Sequence, residues 1–314
     1  MKNIVKSLVL SSMLVLFVNC SDDNNSNQIV DPGFQPNGQD LKNLFASNLN
    51  NITQRTSFDS EQDFSFISEK GTLITINANC LKRQDDTPVT GQVDFAFVEI
   101  FDRGTMLTTN KPTVGLFGDE KRLLYSGGEF YVEVTQNGEK LKSDCGYMLS
   151  TPTSNTGDVD YEMRSFYGEI NSQGELLWNL SITGGEMWIG YNELINTDAY
   201  NAFVNNFGWY NCDRFVDLGN GFTTVNFSVP TGFANNSVVF LATKNEPNSL
   251  AYAYTNMPVG LEVYYVLVTA NNGRFKYAIK PSQVITPNLN VTFSLSEMQD
   301  GTTQQLVDAL NNLP

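Results

Sequence analysis

The chain reads as a mainly β protein, two antiparallel β-sandwich domains with a short helix at each end. Three observations predict this. From Phe64 onward apolar residues recur at every second position in short runs, the period of a strand that buries one face. Turn signals stand between those runs, and Asn137-Gly138 suits a two-residue type I′ hairpin. Helical spacing is confined to the two ends, so the strand–helix alternation that builds parallel sheets is missing.

Taken in order, Asp40 opens the first helix as its N-cap, with Leu41, Leu44, Phe45, Leu49 and Ile52 at helical spacing. "FSFISEKGTLITIN" alternates through Phe64, Phe66, Leu73, Ile74 and Ile76, and "GQVDFAFVEI" through Val93, Phe95 and Phe97. "EFYVEVTQNGEKLK" is a hairpin, and a second one turns on Ser172-Gln173-Gly174. Further strands are expected at Thr223–Val229, Ser237–Thr243, Leu261–Ala270, Arg274–Ile279 and Asn290–Leu295. A closing helix runs from about Thr302 with Leu306, Leu310 and Leu313 on one side. The polar stretch Ser150–Asp160, with Pro and Gly, divides the domains as 40–152 and 153–314. "SGGEFYV" at Ser126 returns as "TGGEMWI" at Thr183. Paired glycines before a strand suit a bend or bulge that leaves no room for a Cβ.

Composition excludes more than it proposes. The 314 residues hold 34 acidic and 19 basic side chains, formally −15. Such a surface repels nucleic acid and anionic headgroups. There is no histidine, which removes His-based acid–base catalysis, Ser-His-Asp and Cys-His sites, and most zinc sites. The acids Glu99, Asp102, Glu129, Glu133, Glu186 and Asp213 supply carboxylates for a glycosidase. A solvated strand face accounts for Glu99, Glu129 and Glu133 without it. The chain is therefore read as non-enzymatic, with no cofactor.

The amino terminus names a compartment. Lys2 and Lys6 precede an apolar run from Leu8 to Val18, a secretory signal too short to cross a bilayer as a helix. The run ends at Asn19-Cys20 and continues Ser21-Asp22-Asp23. This resembles a lipoprotein signal over residues 1–19 with the acidic export tag of Bacteroidetes surface lipoproteins. The resemblance implies a Cys20 acylated on sulfur and a protein held at the outer membrane, facing the exterior, by its lipid alone. Residues 20–39, rich in Asn, Asp, Gly, Pro and Gln, read as a disordered tether. The segment from Gly71 to Leu141 faintly resembles ZU5-type β-domains, which are interaction modules without catalysis. With Cys20 lipidated, Cys80, Cys145 and Cys212 remain. Either Cys80 pairs with Cys145 and Cys212 is a buried thiol, or all three are buried and unbridged.

Two site candidates follow. Asp158, Asp160 and Glu162 alternate in "GDVDYE", a weak calcium pattern without the Asp-x-Asp-x-Asp-Gly loop. Trp188, Tyr191, Trp209 and Tyr210 stand among Asn192, Asn205, Asn206 and Asn211, as rings and amides do on a sugar- or peptide-binding face. The expected function is a binding module for a glycan, a peptide or an envelope protein. The alternative is a structural lipoprotein that braces an envelope complex, in which case the rings form a core.

Overall fold

The structure is a computed structural model and describes residues 34–181 and 187–314. It is mainly β, with a helix near each end and one short helix between. Along the chain come α1 (Gly38–Asn51), β1 (Gln54–Asp59), β2 (Phe64–Ile67), β3 (Leu73–Ile76) and β4 (Gln92–Ile100). Then follow α2 (Arg103–Thr109), β5 (Val114–Phe117), β6 (Glu120–Gln136), β7 (Tyr147–Pro152), β8 (Arg164–Ile170) and β9 (Leu176–Leu180). The second half holds β10 (Met187–Asn192), β11 (Thr197–Val204), β12 (Gly208–Phe215), β13 (Ser237–Thr243) and β14 (Leu250–Tyr252). It ends with β15 (Glu262–Asn271), β16 (Arg274–Val284), β17 (Gln299–Gly301) and α3 (Thr303–Asn311).

Three sheets carry the architecture. The first runs β1-β4-β6-β12-β8-β9-β5, and β5 also pairs β6. That last pairing closes a ring of five strands around the long β6. The second sheet runs β10-β11-β7-β3-β2, and the third β14-β13-β15-β16-β17. One core lies between the first two sheets, built from Phe95, Phe97, Phe130 and Tyr210 on one side and Ile74, Tyr147, Leu149 and Tyr200 on the other. The second core joins the first sheet and its ring to the third sheet and to all three helices, through Trp178, Trp209, Val266, Leu107, Phe45 and Leu306. The first sheet is thus covered on both faces.

This sharing redraws the expected domains. Residues 40–152 and 153–314 do not form separate sandwiches, because the first and second sheets each contain strands from both sides of residue 152. Ser150 lies in β7, paired to Asn201 on one side and Leu73 on the other. Phe34–Pro314 is one compact unit. Packing begins before the expected end of the tether: Phe34 stacks on Phe233 at 6.3 Å, and the Asn37 amide donates to the Ala270 carbonyl at 2.9 Å.

Local signals explain the elements. The cap of α1 is Asn37, not Asp40, and its side chain accepts from the Gln39 and Asp40 amides. Thr302 and Gln305 form a capping box on α3, whose Leu306 and Leu310 are buried. Asn137 and Gly138, with φ of 53° and 82°, make the two-residue turn between Gln136 and Glu139. The second hairpin joins β8 to β9, with Gly174 at φ 82°. The expected strand Thr223–Val229 is reduced to two pieces, Phe222–Thr223 and Asn226–Ser228, and Asn290–Leu295 to Asn290–Thr292.

Gly127 and Gly128 sit at a β-bulge where β6 takes three steps, Ser126 to Glu129, against two on β12, Asp213 to Asn211. Gly128 has φ 130°, and a Cβ there would lie 2.6 Å from both the Phe101 and Phe130 rings. The second copy of the motif, 183–186, lies outside the described residues. At the far end of the molecule Arg103 is almost fully buried and clamps α3. Its Nε donates to the Leu310 carbonyl at 2.9 Å, Nη1 to the Thr243 carbonyl at 2.8 Å, and Nη2 to the Leu313 carbonyl. A cation at a helix C-terminus meets the negative end of its dipole.

Candidate functional site

The four rings expected on one face are divided among three environments. Trp209 and Tyr210 are consecutive on β12, at the middle of the first sheet, so they point into opposite cores. Trp209 is only 9% exposed and lies edge-on to Trp178 at 6.1 Å and against Tyr131 at 5.1 Å. Tyr210 is fully buried, its hydroxyl 2.9 Å from Ser165 Oγ. A strand with cover on both faces has no outer side for either ring. Trp188 and Tyr191, by contrast, are 47% and 60% exposed on β10, the edge of the second sheet.

Register places Trp188 opposite Asn201, and Ser150 opposite Asn201 on the next strand. These residues alternate with the core positions Tyr200, Ala202 and Leu149, so they lie on the face away from that core, where Asn201 and Ser150 are nonetheless buried. Phe203, 37% exposed, and Met148 are paired on the same outer face. Beside the Trp188 ring is an amide network: Ser150 Oγ donates to Asn201 Oδ1 at 2.7 Å, and Asn192 Nδ2 donates to Ser150 Oγ at 2.9 Å and to Asn201 Oδ1 at 3.2 Å. Asn201 Nδ2 in turn holds the Gly190 and Ala199 carbonyls, each at 3.2 Å. Tyr191 pairs with Asp198 on the opposite side of β10, and its hydroxyl donates to Asn196 Oδ1. The candidate surface is therefore the β10 edge with Trp188, Phe203 and the Asn192–Ser150–Asn201 network. Ser150 and Met148 were out of reach of sequence reasoning, since only the β7–β11 register brings them there.

The calcium pattern does not assemble. Asp160 Oδ2 accepts from Arg214 Nε at 2.5 Å, and its Oδ1 accepts from the Glu162 amide at 2.8 Å. Glu162 lies 3.9 Å from the same guanidinium. Among the described residues no three His, Cys, Asp or Glu side chains come together as metal ligands. Asp158, Asp160 and Glu162 instead line an open cleft with Tyr125, Arg214 and Glu246.

A second cleft, of about 800 Å³, is lined by Glu69, Lys70, Glu99, Phe101, Asp102 and Asn155 among others. Two of its acids, Glu99 and Asp102, are already committed. Glu99 accepts from Gln54 Nε2 at 3.0 Å, the Lys70 amide at 2.9 Å, Ser68 Oγ at 2.7 Å and Thr72 Oγ1 at 2.9 Å. Asp102 caps α2 through the Thr105 amide at 2.8 Å.

The carboxyls assigned to a solvated face are the largest departure. Glu99 is buried and Glu129 fully so, because the first sheet has no solvated face at their positions; only Glu133 stays partly exposed, paired with Lys140, and Asp213 is fully buried as well. Glu129 stands opposite Asn211 across β6 and β12, and Asp213 opposite Ser126. Among the described residues, both Glu129 oxygens and Asp213 Oδ1 lack a hydrogen-bond partner. Burial, and then the neighbouring Asp213, push the Glu129 carboxyl well above the usual range. Burial does the same to Asp213. Lys111 sits nearby, its ammonium 5.6 Å from the Trp209 ring centroid. Burial lowers its pKa, against the opposing pull of Glu129.

Cys80 and Cys145 are disulfide-bonded, and Cys212 is a buried thiol whose pKa burial pushes up to about 12. Cys20, Ser21, Asp22 and Asp23 lie outside the described residues. Among the described residues no helix is long and apolar enough to cross a membrane. No family model, curated protein or solved structure matches the chain.

Proposed function

We propose that this protein is a non-catalytic binding module, tethered through Cys20 to the outer membrane, that holds an extended polypeptide segment of an envelope partner along β10. The observation that carries the reading is the character of that edge. An edge strand presents unpaired N–H and C=O groups, and proteins blunt such edges with Lys, Pro or bulges. β10 reads Met-Trp-Ile-Gly-Tyr-Asn, with no charge and no proline, and exposes Trp188 and Tyr191. The edge of the first sheet, β1, carries Arg55 and Asp59 by comparison. Strand addition at an unprotected edge draws affinity from main-chain hydrogen bonds and specificity from adjacent rings. Asn201 and Asn192 hold β10 in place from the sheet side, so the edge is presented rigidly.

A glycan is the second reading, favoured by the Trp188 and Phe203 rings beside amides on one outer face. The burial of Trp209 and Tyr210 fits the bracing alternative, whereas the exposure of Trp188 and Tyr191 supports a binding face. A photo-cross-linking amino acid at position 188, in cells that display the full chain, tests the proposal. It is expected to yield a discrete protein adduct that the same probe at the exposed Tyr161 does not yield. Equal labelling from both positions sinks the reading. Retention of a soluble glycan by the wild type, lost in Trp188→Ala, replaces the peptide with a sugar.

A further inference from the structure

We infer that Lys111 and Asn211 form an intramolecular isopeptide bond, with Glu129 as the proton carrier, in the buried space between the first sheet and α2. Asn211 is the residue that the surrounding groups converge on. Glu129 is its direct cross-strand neighbour, Trp209 precedes it by two on the same face of β12, and Asp213 follows by two. The Lys111 ammonium lies 5.6 Å from the Trp209 ring centroid and within the electrostatic reach of Glu129, the residues that stand two before Asn211 on its strand and directly across from it. The Asn211 amide is held for reaction at both ends. Ser126 Oγ donates to Oδ1 at 3.0 Å, polarising the carbonyl, and Nδ2 lies 2.6 Å from Asp213 Oδ2.

A fully buried carboxyl without a partner is costly and rare, and its presence asks for a role. Here the cost has a direction. In a medium of low dielectric a separated ammonium and carboxylate are both disfavoured. The shifts of Lys111 down and of Glu129 up favour the neutral amine and the neutral acid, which are the reactive forms of each. Nζ attacks Cγ of Asn211, forming the Nζ–Cγ bond. Glu129 gives its proton to Nδ2 and takes one from Nζ, the Cγ–Nδ2 bond breaks, and ammonia leaves. Electrons and atoms balance with no oxidant, metal or other co-reactant. Lys111 follows α2 directly and Asn211 lies at the centre of the first sheet, so the bond would staple the loop after α2 to the strand that serves both cores.

The test is the intact mass of the full chain, purified folded, then reduced and denatured, with proteolysis to map the product. The expected result is a mass lower than the processed sequence by one ammonia, and a branched peptide joining the Lys111 and Asn211 segments. Lys111→Arg and Glu129→Gln should both regain the full mass. A wild-type protein at full mass with linear peptides overturns the inference, whether or not the variants fold. Loss of one water in place of ammonia puts the bond on Glu129 or Asp213 and overturns the assignment to Asn211. Loss of ammonia that persists in Glu129→Gln overturns the role of Glu129.

Discussion

Replacing each exposed or buried tryptophan by alanine separates a recognition ring from a core ring. Trp209 is 9% exposed and touches Trp178, Tyr131 and the Lys111 ammonium. A buried aromatic of roughly 200 Å², at about 25 cal/mol per Å², contributes ~5 kcal/mol. Measured truncations of buried Trp cost about 3–5 kcal/mol because the cavity only partly collapses. Trp209→Ala should therefore lose ~4 kcal/mol, a large part of the roughly 5–15 kcal/mol that holds a fold together. Trp188 is 47% exposed on an edge strand, and its loss should change stability by about 0.5 kcal/mol. At roughly 2–4 °C per kcal/mol for a chain of this size, the melting points should drop by about 8–16 °C and by less than about 2 °C. Far-UV circular dichroism is the probe, since fluorescence would change with the substitution itself. Equal shifts for the two variants, or the larger shift for Trp188→Ala, would refute the division of the rings between surface and core.

Further outcomes concern the cysteines, a buried acid and the amino terminus. Breaking the Cys80–Cys145 bridge by Cys80→Ser with Cys145→Ser frees a loop of 65 residues, and denaturant titration should show a loss of about 4 kcal/mol. In the native protein Cys212 should stay unlabelled by maleimide at neutral pH, because its thiol is buried with a pKa near 12; rapid native labelling would contradict its burial. Asp213, facing Glu129, Cys212 and the more distant Lys111, has a pKa raised by burial. Above the ordinary carboxyl range the unfolded chain gives up this proton while the native state keeps it, so stability falls as pH rises toward the folded pKa. Asp213→Asn should flatten the decline in denaturation midpoint as pH rises above the ordinary carboxyl range, and an unchanged slope would show that Asp213 is not the source. At the amino terminus, Cys20→Ala should release the protein from the membrane fraction. Alanine at Ser21, Asp22 and Asp23 should leave it lipidated but shielded from protease added to intact cells; digestion equal to wild type would remove the export reading.

Sequence reasoning reached whatever depends on neighbours along the chain. Period-two runs located β4 and β13, Asn137-Gly138 located its hairpin, and the spacing of Leu306, Leu310 and Leu313 after Thr302 located α3. The glycine pair at Gly127 marked a bulge for the stated reason, that no Cβ fits. What failed depends on which strands become neighbours. Ser150–Asp160 looks like a linker because it is polar, yet β7 satisfies its hydroxyls across β11 and β3. Glu129 looks solvated because it alternates with apolar residues, but a sheet covered on both faces gives the alternate row a second core. The same fact sends Trp209 and Tyr210 inward. α2 escaped notice because seven residues offer too few turns for a helical period, and its signal was the Asp102 cap alone.

The Arg103 clamp sets an order of events in time. Its guanidinium reaches the Leu310 and Leu313 carbonyls, some 207 and 210 residues further on. Asn311 answers by capping the Gly104 amide at 3.0 Å and donating to Asp102 at 2.7 Å. A buried arginine has no substitute partner while the last turn of α3 is missing, so an incomplete chain carries an unpaired guanidinium where its core should close. Contacts of such span form slowly, because the whole intervening loop must be ordered first. A chain emerging from the ribosome therefore cannot complete its second core until α3 and the residues just after it are made. Under the export proposed above, that delay would keep the chain in a form that can still be threaded.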